Sequence, residues 1–190
     1  LKSILEEIER VVKITDGLLR FSRTRKREVD EIDINSLLEK TISIVEPELK
    51  CDNINFIRKF EAELPKIMAS SDELRQVILN LTTNARGAMP DGGSITIITQ
   101  SREMEGNPSV RIRYTDTGFG IDTKNLDNVF EPFYTTKKEG DGVGLGLSML
   151  YTIIENHQGT ISVESKVGKG TTFIIDLPIE TVVKQYNSHK

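Results

Sequence analysis

Between residues 140 and 147 the sequence runs Gly-Asp-Gly-Val-Gly-Leu-Gly-Leu, with glycine at every second position. No other feature constrains the fold as strongly. Inside a helix each glycine costs about 1 kcal/mol relative to alanine, and inside a strand it leaves nothing to pack. The stretch is therefore neither, and it opens onto a helix expected at about 145–157. Backbone N–H groups in a mobile lid feeding a helix N-terminus suit phosphate oxygens. Two common phosphate-binding arrangements do not fit, because no strand runs directly into the glycines and no Gly-Lys-Ser/Thr closes them. A plain linker is the alternative. Against it stand Phe130, Phe133 and Tyr134 just upstream, since aromatics anchor a lid's hinge better than they serve a spacer.

On either side the pattern alternates between helix and strand. Residues 36–49 read as a helix stopped near Pro47 or shortly after, and residues 54–60 alternate like a half-buried strand. Ser70 and Glu73, three apart, form a capping box. The helix it opens runs through Leu74, Val77, Ile78, Leu81 and Ala85 and stops at Met89-Pro90-Asp91-Gly92-Gly93. Strands follow at 94–101 and 110–115, with a hairpin of 159–165 and 171–177 around Val167-Gly168-Lys169-Gly170. The regular βαβ rhythm is missing, so the expected class is α+β: an α/β sandwich whose mixed sheet carries its helices on one face. Ahead of it, residues 1–29 carry a helical apolar period (Leu1, Ile4, Leu5, Ile8, Val11, Val12, Leu18, Leu19) too wide to stay uncovered in water. This helix either packs on its own domain or forms half of a helical hairpin that pairs with a second copy. The pairing is preferred, because Arg20, Arg23, Arg25, Lys26 and Arg27 followed by Asp30, Glu31 and Asp33 make a charged seam suited to a hinge. The expected division is 1–31, 32–180 and a flexible tail over 181–190.

Composition narrows the partners. The chain has 190 residues, 25 Lys and Arg against 29 Asp and Glu, and a formal net charge of −4. That length holds one full-sized domain plus an extra element. Without an overall basic field, nucleic acid is not an expected partner. A single cysteine, Cys51, excludes an internal disulfide and a cysteine zinc cluster. No apolar run approaches the ~20 residues that span a bilayer, and no signal peptide opens the chain. A cytoplasmic setting is expected with no membrane contact by this stretch, any anchor lying elsewhere in a longer parent.

Two further segments carry chemistry. In Asn80-Leu-Thr-Thr-Asn84 two carboxamides sit at i and i+4 on one helical face. They are either a solvated polar face, the better bet from spacing alone, or oxygens that meet a Mg²⁺ carrying phosphates. In Asp116-Thr-Gly118-Phe-Gly120-Ile121 a strand ends in an acceptor-only carboxylate above a loop bare of side chains. This is either a plain turn or an acceptor for an exocyclic amino group such as adenine's. A carbonyl in the amino group's place would leave facing acceptors, at a cost of roughly 1–3 kcal/mol.

In their order, Asn80–Asn84, Asp116–Ile121, Phe130–Lys138 and Gly140–Leu147 resemble the N, G1, F and G2 boxes of bacterial sensor histidine kinases. That family shares an ATP-binding superfamily with gyrase, mismatch-repair ATPases and heat-shock chaperones. Leu74-Arg-Gln76-Val77-Ile-Leu-Asn80-Leu, Gly170-Thr171-Thr172-Phe173 and Leu177-Pro178 extend the likeness over roughly residues 32–179. Residues 1–29 are similar to the second helix of the family's dimerisation hairpin. The resemblance implies the Bergerat-type ATP-binding fold, with ATP and Mg²⁺ as ligands. Asp116 would bind the adenine amino group, and Gly118, Gly120 and Ile121 would shape its pocket. Asn84 would ligate Mg²⁺, with Asn80 beside the phosphates and a second candidate ligand. Lys137, Gly142, Gly144 and Gly146 would form the lid, and Ala88, Tyr134, Thr136, Val143, Leu145, Leu147 and Thr172 would complete the nucleotide contacts.

The likeness also bears on the reaction. In hydrolysing members a Glu one turn before the Mg²⁺-binding Asn activates water. Here that position is Asn80, and an amide cannot serve as general base. The implied function is the ATP-binding core of a two-component sensor histidine kinase, passing the γ-phosphoryl group to a His on a hairpin not fully present. The alternatives are a GHKL-type ATPase, or an anti-sigma-like serine kinase or regulatory binding module. His157 sits near a helix C-terminus, an ordinary structural place, and His189 lies in the tail, so self-phosphorylation is not expected. Implied partners are a response-regulator receiver domain, the histidine-bearing hairpin and a second copy in a full-length homodimer. Where many members have a Lys three residues after the Mg²⁺-binding Asn, this chain has Gly87. Phosphate neutralisation is left to Lys137, Lys138 or Arg86.

Overall fold

A computed structural model of the protein describes residues 28–135 and 143–179. The helix expected within residues 1–29 therefore lies outside the described residues, except for Glu28 and Val29, which are not helical. The tail from Thr181 lies outside them as well, together with Thr136, Lys137, Lys138, Gly142 and His189.

Five strands form an open mixed sheet. They are β2 (Ile54–Phe60), β4 (Gly93–Met104), β5 (Asn107–Asp116), β6 (Thr160–Lys166) and β7 (Gly170–Pro178), in the order β2-β4-β5-β7-β6. β2 and β4 run parallel and the other pairs antiparallel. Register places Ile97 opposite Tyr114, Tyr114 opposite Phe173, and Ile112 opposite Ile175, so these buried side chains share one face. Three helices cover that face: α1 (Ile34–Cys51), α2 (Ser71–Ala88) and α3 (Gly146–Asn156). A short 3₁₀ helix spans Thr123–Asn128. The result is the expected α+β sandwich with helices on one sheet face.

Details depart from the pattern-based reading for identifiable reasons. Asp30–Ile32 and Ile67–Ala69 form β1 and β3, an antiparallel pair in a second, two-stranded sheet. Acidic residues assigned to a charged seam thus form a strand, and Asp33 caps α1 through its carboxylate, which accepts from Ser36 N at 3.1 Å. α1 continues past Pro47 to Cys51. Buried Leu49 and the Arg86 guanidinium, paired with Glu48 and with the C-cap residue Asp52, retain the turns that follow the proline.

The capping box does not form. Ser70 occupies the N-cap position of α2, but its hydroxyl makes no cap hydrogen bond. In a capping box the Glu73 carboxylate would receive the Ser70 N–H. That N–H donates instead to His157 Nε2 at 3.0 Å. The ring's Nδ1, 2.7 Å from the Ile153 carbonyl, is then the donor, which fixes the neutral tautomer. His157 is 3% exposed and joins the C-terminus of α3 to the start of α2. Its role is structural, as its place near a helix end indicated. Replacing His157 with Ala leaves the buried Ser70 N–H without its acceptor, and urea unfolding is expected to show a loss of about 1–3 kcal/mol.

Candidate functional site

The site begins with the packing of α2 on β5. The Tyr114 hydroxyl, fully buried, lies 2.9 Å from Thr82 Oγ1, which donates to the Ile78 carbonyl at 2.8 Å. This bond fixes α2 against β5 two residues before the strand ends at Asp116. Along α2, Gln76, Asn80, Asn84 and Ala88 recur every four residues and share one face. At one end of that face, Gln76 Nε2 contacts Met149 Sδ and Asn80 Nδ2 donates to the Gly146 carbonyl at 3.3 Å. At the other end, the Phe119 N–H donates to the Ala88 carbonyl at 3.0 Å. Gly118 lies so close there that a Cβ would stand 2.6 Å from the Ala88 Cβ. Between the two ends Asn84 is half-buried, and its carboxamide makes no hydrogen bond with a described residue. The two asparagines thus stand on α2 between its contact with the start of α3 and its contact with the loop after β5, and the space between those contacts is the candidate cleft.

Asp116 forms one end of that cleft. It is 4% exposed, and its Oδ1 accepts from Gly118 N at 2.8 Å and from Thr171 N at 3.3 Å. Its Oδ2 accepts no hydrogen bond among the described residues. One oxygen is therefore fixed by backbone and the other is left for an incoming donor. Burial pushes the carboxyl above the usual carboxylate range, and the two backbone N–H groups act in the opposite direction.

The β6–β7 hairpin supports this arrangement from behind. Gly170, at φ +97°, packs its backbone against the Asp116 carbonyl, and Gly120, at φ +74°, packs against the Lys166 carbonyl. Only glycine combines that conformation with that proximity. Gly168 N donates to the Phe119 carbonyl at 2.8 Å. The Ile121 N–H donates to Ser165 Oγ at 2.7 Å, and Ser165 Oγ donates to the Gly170 carbonyl at 2.8 Å and lies 3.0 Å from Thr171 Oγ1.

The base of the glycine-rich segment closes the far side. Phe133, at φ +67°, donates its N–H to the Gly144 carbonyl at 2.9 Å. Phe130 is the packed anchor, its ring 5.6 Å from Tyr151 and 6.4 Å from Phe173. Phe133 exposes its ring and contributes through backbone alone, while Tyr134, Val143 and Leu147 are half-buried nearby in sequence. Leu145 precedes α3 and is buried, and no side chain caps the N–H groups that begin at Gly146. Those groups remain available to an anion.

Most residues singled out in the sequence therefore converge: Asn80, Asn84, Ala88, Asp116, Gly118, Gly120, Ile121, Gly144, Leu145 and Gly146. Thr172 does not. It projects from the opposite face of the sheet, where its Oγ1 lies 3.0 Å from Thr115 Oγ1. The neighbouring Thr171, paired in register with Asp116, is the one at the site. Strand parity was the available signal, because Thr171 shares its face with Phe173 and Ile175. Ser165 had no comparable signal. Arg86 contacts Glu48 and Asp52, each at 2.6 Å, so its charge is already matched by carboxylates.

A model of the histidine kinase-, DNA gyrase B-, and HSP90-like ATPase family matches residues 69–181. The chain belongs to this family. Sensor histidine kinase ZraS of Escherichia coli (strain K12) is 35% identical over 179 residues, 94% of this chain and 37% of ZraS. Sporulation kinase E of Bacillus subtilis (strain 168) is 34% identical over 176 residues, 93% of this chain and 23% of that kinase. This chain thus spans well under half the length of these relatives. Among solved structures, the nucleotide-free catalytic domain of histidine kinase ThkA matches with a TM-score of 0.69 at 32% identity, over 81% of this chain and 97% of that one. ThkA in complex with response regulator protein TrrA matches with a TM-score of 0.73 at 30% identity, over 93% of this chain and 49% of that one. Within the family, the chain has the catalytic ATP-binding domain of the sensor histidine kinases.

Two stability measurements check the geometry of this site. Gly168 and Gly170 both have positive φ, but a Cβ at Gly168 meets nothing within 4 Å whereas one at Gly170 collides with Asp116. Gly168→Ala is expected to cost about 1–2 kcal/mol of backbone strain, and Gly170→Ala at least a further 1–3 kcal/mol from overpacking, both read by urea unfolding. In Asp116→Asn the amide oxygen retains the Oδ1 contacts. Because the carboxyl is raised in the folded state, its ionisation opposes folding at neutral pH. The variant is expected to be at least as stable as wild type at pH 7, and to lose that advantage as acid protonates Asp116.

Proposed function

We propose that the chain binds Mg²⁺–ATP in the cleft between α2, the Asp116 loop and the start of α3. There it presents the γ-phosphoryl group to a histidine on a helical hairpin not fully present in this chain. The observation that carries this reading is the carboxylate of Asp116, anchored by backbone through one oxygen and open through the other. It is a fixed acceptor that an adenine amino group satisfies and a guanine carbonyl does not. Gly118 and Gly120 keep the adjoining loop bare, and Ala88 and Ile121 bound it. Asn84 fits Mg²⁺ because its carboxamide has no partner among the described residues. Those residues contain no group of three or more His, Cys, Asp or Glu able to hold the ion alone. Mg²⁺ held by one or two protein oxygens, phosphates and water matches such a site, and it would neutralise phosphate charge there. The uncapped start of α3 supplies N–H donors to the phosphates, with Thr136, Lys137 and Gly142 contributing from the segment outside the described residues.

Phosphotransfer is favoured over hydrolysis by Asn80. Its carboxamide donates to the Gly146 carbonyl and offers no base to a water molecule. His157 is not the acceptor, since it is buried with its ring nitrogens engaged by backbone. The reading further assigns residues 1–31 to the second helix of the dimerisation hairpin plus a hinge, 32–180 to the catalytic domain and 181–190 to a tail. It implies a homodimeric parent, a response-regulator receiver domain as phosphoryl acceptor, and a cytoplasmic site of action. No helix among the described residues is long and apolar enough to cross a membrane.

Calorimetry tests the nucleotide assignment. ATP with Mg²⁺ is expected to bind at least tenfold more tightly than GTP, and Asn84→Ala to abolish the Mg²⁺ dependence. Equal affinity for the two nucleotides would remove Asp116 from the purine site. Adding a separate His-bearing hairpin to the chain with Mg²⁺–ATP is expected to yield acid-labile phosphate on the hairpin. Sustained phosphate release by the chain alone would favour the ATPase alternative.

A further inference from the structure

The Ser165 hydroxyl has one hydrogen and two lone pairs, and the structure uses all three. It donates to the Gly170 carbonyl at 2.8 Å, accepts the Ile121 N–H at 2.7 Å, and meets Thr171 Oγ1 at 3.0 Å, a pairing in which Thr171 must be the donor. Each partner belongs to the surroundings of Asp116. Ile121 ends the loop that Asp116 begins. Gly170 lies against the Asp116 carbonyl. The main-chain N–H of Thr171 is one of the two donors that orient Oδ1. Ser165 makes no hydrogen bond with Asp116 itself. It sits on β6, one strand beyond β7, and its hydroxyl ties both sides of the carboxylate's support together.

We propose that Ser165 is a positioning residue for purine selection, its hydroxyl fixing the direction of the free Asp116 oxygen by joining the 117–121 loop to the start of β7. The inference rests on the reading of Asp116 as the adenine acceptor. Loss of the hydroxyl leaves the Ile121 N–H and the Gly170 carbonyl without this partner, and the loop and the Thr171 N–H are free to shift relative to each other. A directional acceptor then becomes a loosely aimed one. The loss falls on a ligand's amino group, not on its phosphates, which lie toward Asn84 and α3.

The test compares binding of ATP and of purine riboside triphosphate, which lacks the six-amino group, to wild type, Ser165→Ala, Asp116→Asn and the double variant. Ser165→Ala is expected to weaken ATP binding about tenfold while changing affinity for the unsubstituted purine less than about twofold. In the Asp116→Asn background it should have no further effect on ATP, and Ser165→Thr, which keeps the hydroxyl, should restore the preference. A uniform loss for both ligands, an effect additive with Asp116→Asn, or unchanged ATP affinity in Ser165→Ala would each overturn the proposal. If Asp116→Asn leaves ATP affinity intact, the adenine assignment fails first and this inference with it. Should Ser165→Ala not fold, Ser165→Cys preserves the shape with a weaker donor and is expected to show the same selective loss for ATP.

Discussion

The site depends on a carboxylate held by the backbone. Asp116 is removed from water, carries no basic partner among the described residues, and is oriented by two peptide N–H groups on separate segments. Such a group is costly to bury and pointless to keep unless its second oxygen has a use. Around it the fold is correspondingly rigid. The Tyr114–Thr82 contact fixes α2, Ala88 closes onto Gly118, and the β6–β7 turn packs glycine backbone against the strand end. Apart from the buried Tyr114 side chain, these contacts involve backbone or short side chains, the kind that tolerate little displacement.

The same economy extends along α2. One face of this helix buries Leu74, Val77, Ile78, Leu81 and Ala85 in the core, while the adjoining face presents Gln76, Asn80 and Asn84 to the cleft. Core packing and the placement of these polar side chains are thereby set by a single helix. His157 adds a second constraint, because it joins the beginning of α2 to the end of α3 and so sets the angle at which the start of α3 faces the asparagines.

Much of this was legible in the sequence where periodicity was strong. Ile54–Phe60 alternates cleanly and is the strand it reads as, and the Leu74–Ala85 stripe delimits α2. β1 and β3 were not legible, since three residues carry no usable period and Asp30 and Glu31 look like a solvated seam. The apparent Ser70–Glu73 box misled because a local motif was displaced by a distant residue, His157, whose involvement only the tertiary fold reveals. In the site, the glycine and asparagine motifs marked the residues that line the cleft. The second tier was less legible: Gly170-Thr171 was marked by its motif, whereas Ser165 comes from a strand that reads as ordinary β structure. Strand parity separates Thr172 from Thr171, and it is Thr171 that register pairs with Asp116.

The hydrogen bond from Phe133 to Gly144 has a consequence for variation in this architecture. It pins two points of the chain together, so whatever lies between them is a closed loop on a fixed base. Doubling such a loop adds only about 0.6 kcal/mol of closure entropy. Length and composition of the sequence between those two points can therefore diversify at little cost in stability, without disturbing the register of the helix that follows.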